Sequence, residues 1–227
     1  DKYFQIFVDR VNIYFPIIER ILREEEMPDD LKYLALQESA LIPDAVSSSN
    51  AVGFWQFKKE TAEDYGLIIN DKIDERKNIV SSTRAASKYI KNSNFLFENW
   101  IFSIYSYYQG LNGAKAVVDP KLYGSKRMTI DTNTHWYIIK FLGYKIAFEN
   151  YTNSKNYNDN FSVYENRSFS SVKDLSKNLS IDRSELTSFN SWIKSDRIPR
   201  DKVYSFLIPE KKENVFKRTA SIITDKI

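Results

Sequence analysis

Glu38 is the residue whose type and surroundings first point to chemistry. On a helix from Leu31 to Ile42, the residues Leu31, Leu34, Ala35, Leu41 and Ile42 share one apolar stripe, and Glu38 falls within it. A carboxylate held among apolar groups has its charged form disfavoured. Its pKa then rises toward the range where it can deliver a proton near neutral pH, the requirement for a general acid. The competing reading is a Glu in the last turn of an amphipathic helix that reaches water or pairs with Lys or Arg. A second group of chemical interest is Gly53-Phe54-Trp55-Gln56-Phe57. Glycine lets backbone approach a ligand closely, Trp55 offers an apolar face to a pyranose ring, and Gln56 supplies both donor and acceptor to an acetamido group. The alternative for Trp55 is a buried ring in a tight turn.

Helices are needed to position these groups. They are predicted over residues 1–13 and 16–26, with Phe4, Phe7, Val11 and Tyr14 on one face and Ile17, Ile18, Ile21 and Leu22 continuing the pattern. Pro16 suits a first helical turn. Met27-Pro28-Asp29-Asp30 breaks the chain and opens the Glu38 helix, with acids near its positive end. Pro43-Asp44 and Ser47-Ser48-Ser49-Asn50 are loop formers, so Gly53–Gln56 should arrive as a loop beside the end of that helix. Further helices are predicted from Ile79 to about Ile90, over 97–108 and over 131–150.

The order of these segments resembles the lytic transglycosylases of the goose-type-lysozyme-like superfamily, most of all their membrane-bound D-type branch. There a helix ending in E-S is followed by A-x-S-x-x-x-A-x-G-L-W-Q-F. Ala45, Ser47, Ala51, Gly53, Trp55, Gln56 and Phe57 match that pattern. The resemblance runs from about Tyr14 to Phe148 and implies a lysozyme-like helical domain. It makes Glu38 the catalytic acid and Ser39, Gly53, Trp55 and Gln56 parts of the substrate groove. Asp74-Glu75-Arg76 resembles the branch's D-E-R segment, which makes Asp74 and Arg76 fold-holding ion-pair partners; Glu75 reads as a solvated cap residue or as a second carboxylate. S-Y-Y-Q-G aligns Tyr107 and Gly110 with the family's A-Y-N-x-G, and Tyr108 stands where the family has Asn. Tyr107 then lies near the acid, and Tyr108 alters the groove floor. D-T-N-T-H-W-Y-I-I-K-F is similar to the family's E-T-x-x-Y-V-x-K-F and makes Tyr137 a groove residue.

Composition narrows the alternatives. The 227 residues, 42% hydrophobic and 15% aromatic, are enough for one sizeable core and a small second module. With no cysteine and a single histidine, disulfide frameworks, Cys-based zinc sites and a Ser-His-Asp triad are disfavoured; His135 reads as structural or as a lone base. A net charge of +3 without a basic helix face does not indicate nucleic acid. No run of eighteen apolar residues spans a membrane, and D-K-Y-F-Q-I-F-V lacks the marks of a signal peptide. The chain is therefore expected to follow a removed leader, in the periplasm or cell envelope.

The expected organisation is mainly α: a lysozyme-like domain over 1–150, an Asn/Ser-rich linker over 151–160, a small α+β module over 161–210 and a basic tail over 211–227. The module's strand-helix-helix-strand order looks like a degenerate lysin motif. The expected activity is cleavage of the β-1,4 bond between N-acetylmuramic acid and N-acetylglucosamine in peptidoglycan strands, with 1,6-anhydromuramyl products and no metal or cofactor. In that picture Ser39 holds the acid or a muramyl group. The alternatives are a peptidoglycan-binding or scaffold protein that has lost turnover, and a hydrolase using Asp44, Asp64, Asp74 or Glu75 as second carboxylate.

Overall fold

The computed structural model describes residues 2–153 and 161–209; the rest of the expected linker and the expected tail over 211–227 lie outside the described residues. Six helices, α1 (Lys2–Glu24), α2 (Lys32–Ser39), α3 (Lys59–Asp64), α4 (Ile79–Phe97), α5 (Trp100–Val117) and α6 (Trp136–Asn153), precede β1 (Phe161–Asn166), α7 (Val172–Leu179), α8 (Arg183–Ser188) and β2 (Tyr204–Pro209). The fold is mainly helical with a two-stranded antiparallel sheet, in keeping with a lysozyme-like domain and a small α+β module.

The two helices predicted before Met27 are one. Proline cannot supply the N–H that the Asn12 carbonyl would accept, yet α1 runs through Pro16. Val8, Val11, Phe15, Ile18 and Leu22 recur at helical spacing on both sides of it and are buried in one core, so packing keeps the two halves collinear. Phe4, assigned to that face, is instead 42% exposed.

α2 also departs from expectation, because it is buried nearly all round rather than along one stripe: Lys32 to Gln37 and Ser39 are all buried, and Glu38 is the partly open residue of the final turn. The helix stops at Ser39, not at Ile42. Ala40 and Leu41 adopt left-handed backbone at φ 52° and 56°, a conformation that costs a non-glycine residue about 1 kcal/mol or more. Leu41 is nonetheless fully buried, so its side chain stays in the core while the backbone turns away from the helix axis.

Other boundaries shift for identifiable reasons. α4 continues to Phe97, and Asn99 starts α5 by accepting from the N–H groups of Ile101 and Phe102. α6 begins at Trp136 because Asp131–Thr134 close a turn, and His135 Nδ1 then accepts the Tyr137 N–H at 3.2 Å. α5 is broken within its length by Gly110 at φ 73°, ψ 157°, backbone that only glycine adopts without strain.

The C-terminal residues also contact the helical part of the chain. β1 and β2 pair from Phe161 opposite Pro209 to Asn166 opposite Tyr204. Leu207 of β2 is buried in the helical core, and Ile73 is buried in the second core formed by Val172, Leu175, Leu186, Trp192 and Phe206. The segment 72–78 lies between the two. Asp74 N–H donates to the Trp192 carbonyl at 2.8 Å, Lys194 N–H to the Lys72 carbonyl at 2.8 Å, and Asn78 Nδ2 to the Ser205 carbonyl at 2.9 Å.

Candidate active site

Glu38 faces a cleft of about 580 Å³ between the end of α2, the loop before α3, the middle of α5 and the start of α6. Among the described residues that line it, Glu38 is the only carboxylate. The Tyr137 hydroxyl donates to Glu38 Oε1. No hydrogen bond to Oε2 is formed among the described residues. Burial pushes the Glu38 carboxyl above its usual range; the Tyr137 hydrogen bond and the nearby Lys140 ammonium oppose that rise without cancelling it. The group thus combines a raised pKa, one tethered oxygen and one oxygen free of protein donors, which are the properties of a positioned general acid.

Tyr137 braces the acid, and Tyr107 lies within reach of its charge. Burial and the Glu38 charge push both Tyr107 and Tyr137 well above the usual phenol range, so both are neutral donors at any physiological pH. Tyr107 donates its hydroxyl to the Trp55 carbonyl at 2.7 Å and packs edge-on against Tyr89 at 5.1 Å. It therefore ties α5 to the loop that carries Gln56. Tyr108, 46% exposed, stacks on Tyr137 at 4.8 Å and 26°.

The loop is built by close approach of backbone to backbone. Gly53 has φ 86°, and a Cβ there would lie 2.0 Å from the Arg76 carbonyl oxygen. Gln56, itself at φ 49°, donates Nε2 to the carbonyls of Gly53 and Ala45 at 2.9 and 3.1 Å. Its Oε1 accepts no hydrogen bond among the described residues and remains available to a donor in the cleft. Arg76 holds the same loop from below, pairing with Asp74 at 2.8 Å and donating Nη1 to the Phe57 carbonyl at 3.4 Å.

Residues 15–121 match the family model described as "Transglycosylase SLT domain". That stretch of the chain is similar to an SLT domain. Over 102 residues it is 33% identical to the membrane-bound lytic murein transglycosylase D of Escherichia coli strain K12, and equally to that of strain O6:H1. The aligned stretch is 44% of this chain, and the chain spans only 23% of the length of those relatives. The SLT match includes Glu38, Gly53–Phe57, Tyr107 and Tyr108 and ends before α6, which supplies the Tyr137 contact to the acid.

The geometry brings together Glu38, Gln56, Tyr107, Tyr108 and Tyr137, and corrects three expected contacts to ligand. Trp55 has no exposed surface; its Nε1 donates to Thr83 Oγ1 at 3.0 Å, so it cannot present a face to a sugar and instead forms the wall behind Tyr107. Gly53 admits the Arg76 backbone rather than a ligand. Ser39 is buried and donates to the Phe54 carbonyl at 2.8 Å, which fixes the loop to the end of α2 instead of holding the acid or a muramyl group. The proposed second carboxylates lie elsewhere. Asp74 is paired with Arg76, which holds its carboxyl below the usual range despite burial. Glu75 is fully buried, accepting from Ser81 Oγ, the Ile68 N–H and Lys202 Nζ. Asp44 pairs with Lys77 at 2.7 Å, and Asp64 does not line the cleft. His135 serves as a cap, packed against Tyr105 at 4.9 Å.

Sequence reasoning passed over Gln37 and Lys140. Gln37 lines the cleft, is buried, and leaves Oε1 without a partner among the described residues. Lys140 lies one turn beyond Tyr137 on α6 and donates Nζ to the Gln37 carbonyl at 3.4 Å. The spacing Tyr137–Lys140 was a legible signal, since i and i+3 share a helix face.

Proposed function

We propose that this chain is a peptidoglycan lytic transglycosylase that cleaves the β-1,4 bond between N-acetylmuramic acid and N-acetylglucosamine and leaves 1,6-anhydromuramyl ends. The observation that carries the reading is a single raised-pKa carboxylate, Glu38, tethered by Tyr137 in a cleft that contains no second carboxylate among its described lining residues.

A single carboxylate serves when the substrate supplies the nucleophile. Protonated Glu38 gives its proton to the glycosidic oxygen as the C1–O bond breaks, and the muramyl acetamido oxygen attacks C1 to form a cyclic oxazolinium. Glu38, now ionised, takes the proton of the muramyl 6-hydroxyl. O6 attacks C1, the oxazolinium ring opens, and the acid is restored with no water consumed. The attacking hydroxyl belongs to the same sugar and pays no entropy of encounter. Gln56 Oε1 accepts from an acetamido N–H, Tyr137 and Tyr107 hold the geometry, and Tyr108 walls the groove.

In this reading the β1–α7–α8–β2 unit is a lysin-motif-like glycan binder forming a domain of its own over 161–210, joined by a linker over 151–160 to a catalytic domain over 1–150. The protein works in the periplasm or cell envelope. No helix among the described residues is long and apolar enough to cross a membrane.

Digestion of purified sacculi in isotopically heavy water tests the activity by the mass of its products. Unlabelled ends lighter than hydrolysis products by one water are expected. Labelled reducing ends would identify a hydrolase. Retention on sacculi without any release would identify the scaffold alternative, for which the Tyr108 departure from the family's Asn is the favouring feature.

A further inference from the structure

We propose that Trp136 and Tyr108 form a stacking platform for an N-acetylated pyranose at the rim of the Glu38 cleft, a subsite next to the scissile bond that sets how tightly this chain grips its glycan. The proposal rests on the reading of the cleft as a glycan site and adds to it a residue, Trp136, that no catalytic step requires.

Trp136 is 54% exposed and Tyr108 46% exposed, and both line the same cleft. Their rings meet edge to face at 5.2 Å and 78°. Tyr108 is held in turn by stacking on Tyr137, while His135 packs against Trp136 at 5.6 Å. The indole is thus fixed on two sides and open on the cleft side. Scattered single exposed aromatics need no explanation, but two braced rings at the mouth of a polar cleft form a fixed apolar surface that water covers poorly. The C–H face of a pyranose matches such a surface. The Gln109 amide beside Tyr108 and the Gln56 Oε1 acceptor line the same cleft and supply its polar edge.

Position decides which sugar is held. Tyr137, bonded to the acid, has its ring centroid 5.6 Å from that of Trp136, so one aromatic ring separates the indole from the group that holds Glu38. A sugar stacked there neighbours the cleaved bond and does not occupy it. The same contact gives a physical account of Tyr108. An Asn at this position could not brace the indole, whereas the Tyr ring both supports Trp136 and extends its surface.

The test uses the full chain carrying Glu38→Gln, which removes turnover while leaving the cleft, and N-acetylglucosamine hexasaccharide as the probe. Trp55 and Trp192 are buried, so an emission change on titration reports chiefly on more exposed indoles such as Trp136. Saturable binding by calorimetry with a blue shift in emission is expected. Adding Trp136→Ala should weaken binding about tenfold, the loss of one covered indole face, and abolish the shift, with the melting temperature unchanged. Trp136→Phe should recover part of the affinity, and Tyr108→Asn should weaken it by freeing the indole. Equal affinity in the Trp136→Ala variant, a shift that survives it, or no binding by the parent would each overturn the proposal. Its failure is separable from that of the activity: digestion of sacculi by the wild-type chain is read independently of hexasaccharide affinity.

Discussion

Tyr137 lies 99 residues beyond Glu38 in the chain and donates its hydroxyl to Glu38 Oε1, so the acid is held by α6, the last helix before β1 in chain order. A neutral tyrosine donating to a carboxylate stabilises the charged form and restrains the rise that burial imposes. Tyr137→Phe should therefore push the Glu38 pKa higher still. The alkaline limb of activity should move to higher pH, with maximal turnover down about tenfold as one charged hydrogen bond is lost. A pH–rate profile on sacculi checks both; an alkaline limb displaced to lower pH would contradict the assignment.

Glu38→Gln should remove turnover, because an amide keeps the shape and cannot deliver the proton. Its effect on stability has a definite sign. The folded pKa lies above the ordinary carboxylate value, so folding takes up a proton between the two. The stability tied to this group is present below the unfolded pKa and is lost as pH rises through the folded pKa. Melting temperatures of variant and wild type should diverge in the variant's favour as pH rises across that window. Muropeptide release within a few-fold of wild type would end the assignment of Glu38.

Gly53→Ala should be severely destabilising, by about 3 kcal/mol or more, since the new Cβ meets a backbone carbonyl that no side-chain rotation can move and the backbone there has positive φ. Gly143→Ala is the control. Its Cβ would meet nothing within 4 Å inside α6, and it should stabilise by about 0.5–1 kcal/mol. Thermal melting of the pair is the measurement, and comparable small effects would mean the loop is not pinned on Arg76.

Lys202→Met removes the one cation bonded, among the described residues, to the buried Glu75 carboxylate, a 2.7 Å pair in which the Lys is 37% exposed. Allowing for that exposure, the cost should be about 2 kcal/mol. Removing residues 161–227 takes away this partner, the Asn78 contact and Leu207 together. The remaining helical domain should still fold, with a lower melting temperature and weaker retention on insoluble peptidoglycan. Undiminished stability would show that 72–78 holds its shape unaided.

The local order of residues already specified much of this site. Glu38 among apolar neighbours, the Gly53–Phe57 loop after Pro and Ser, and the Tyr107–Gly110 segment were legible because turn chemistry and helical spacing are short-range properties. The mainly helical class and the closing strand-helix-helix-strand order were legible for the same reason. Contacts were not. Trp55 and Ser39 have the chemistry of ligand-binding groups, and only the packing of α2 against the loop turned Trp55 toward Thr83 and Ser39 toward the Phe54 carbonyl. Pro16 reads as a helix start, and the burial of residues on both sides overrode it. Glu75 reads as a solvated cap, yet Lys202, 127 residues away, comes back to neutralise it in the interior. Spacing along a chain fixes which side chains share a face of one element; which faces meet is set by burial of apolar surface among elements distant in sequence, and that decided the partners of Glu38, Ser39 and Trp55.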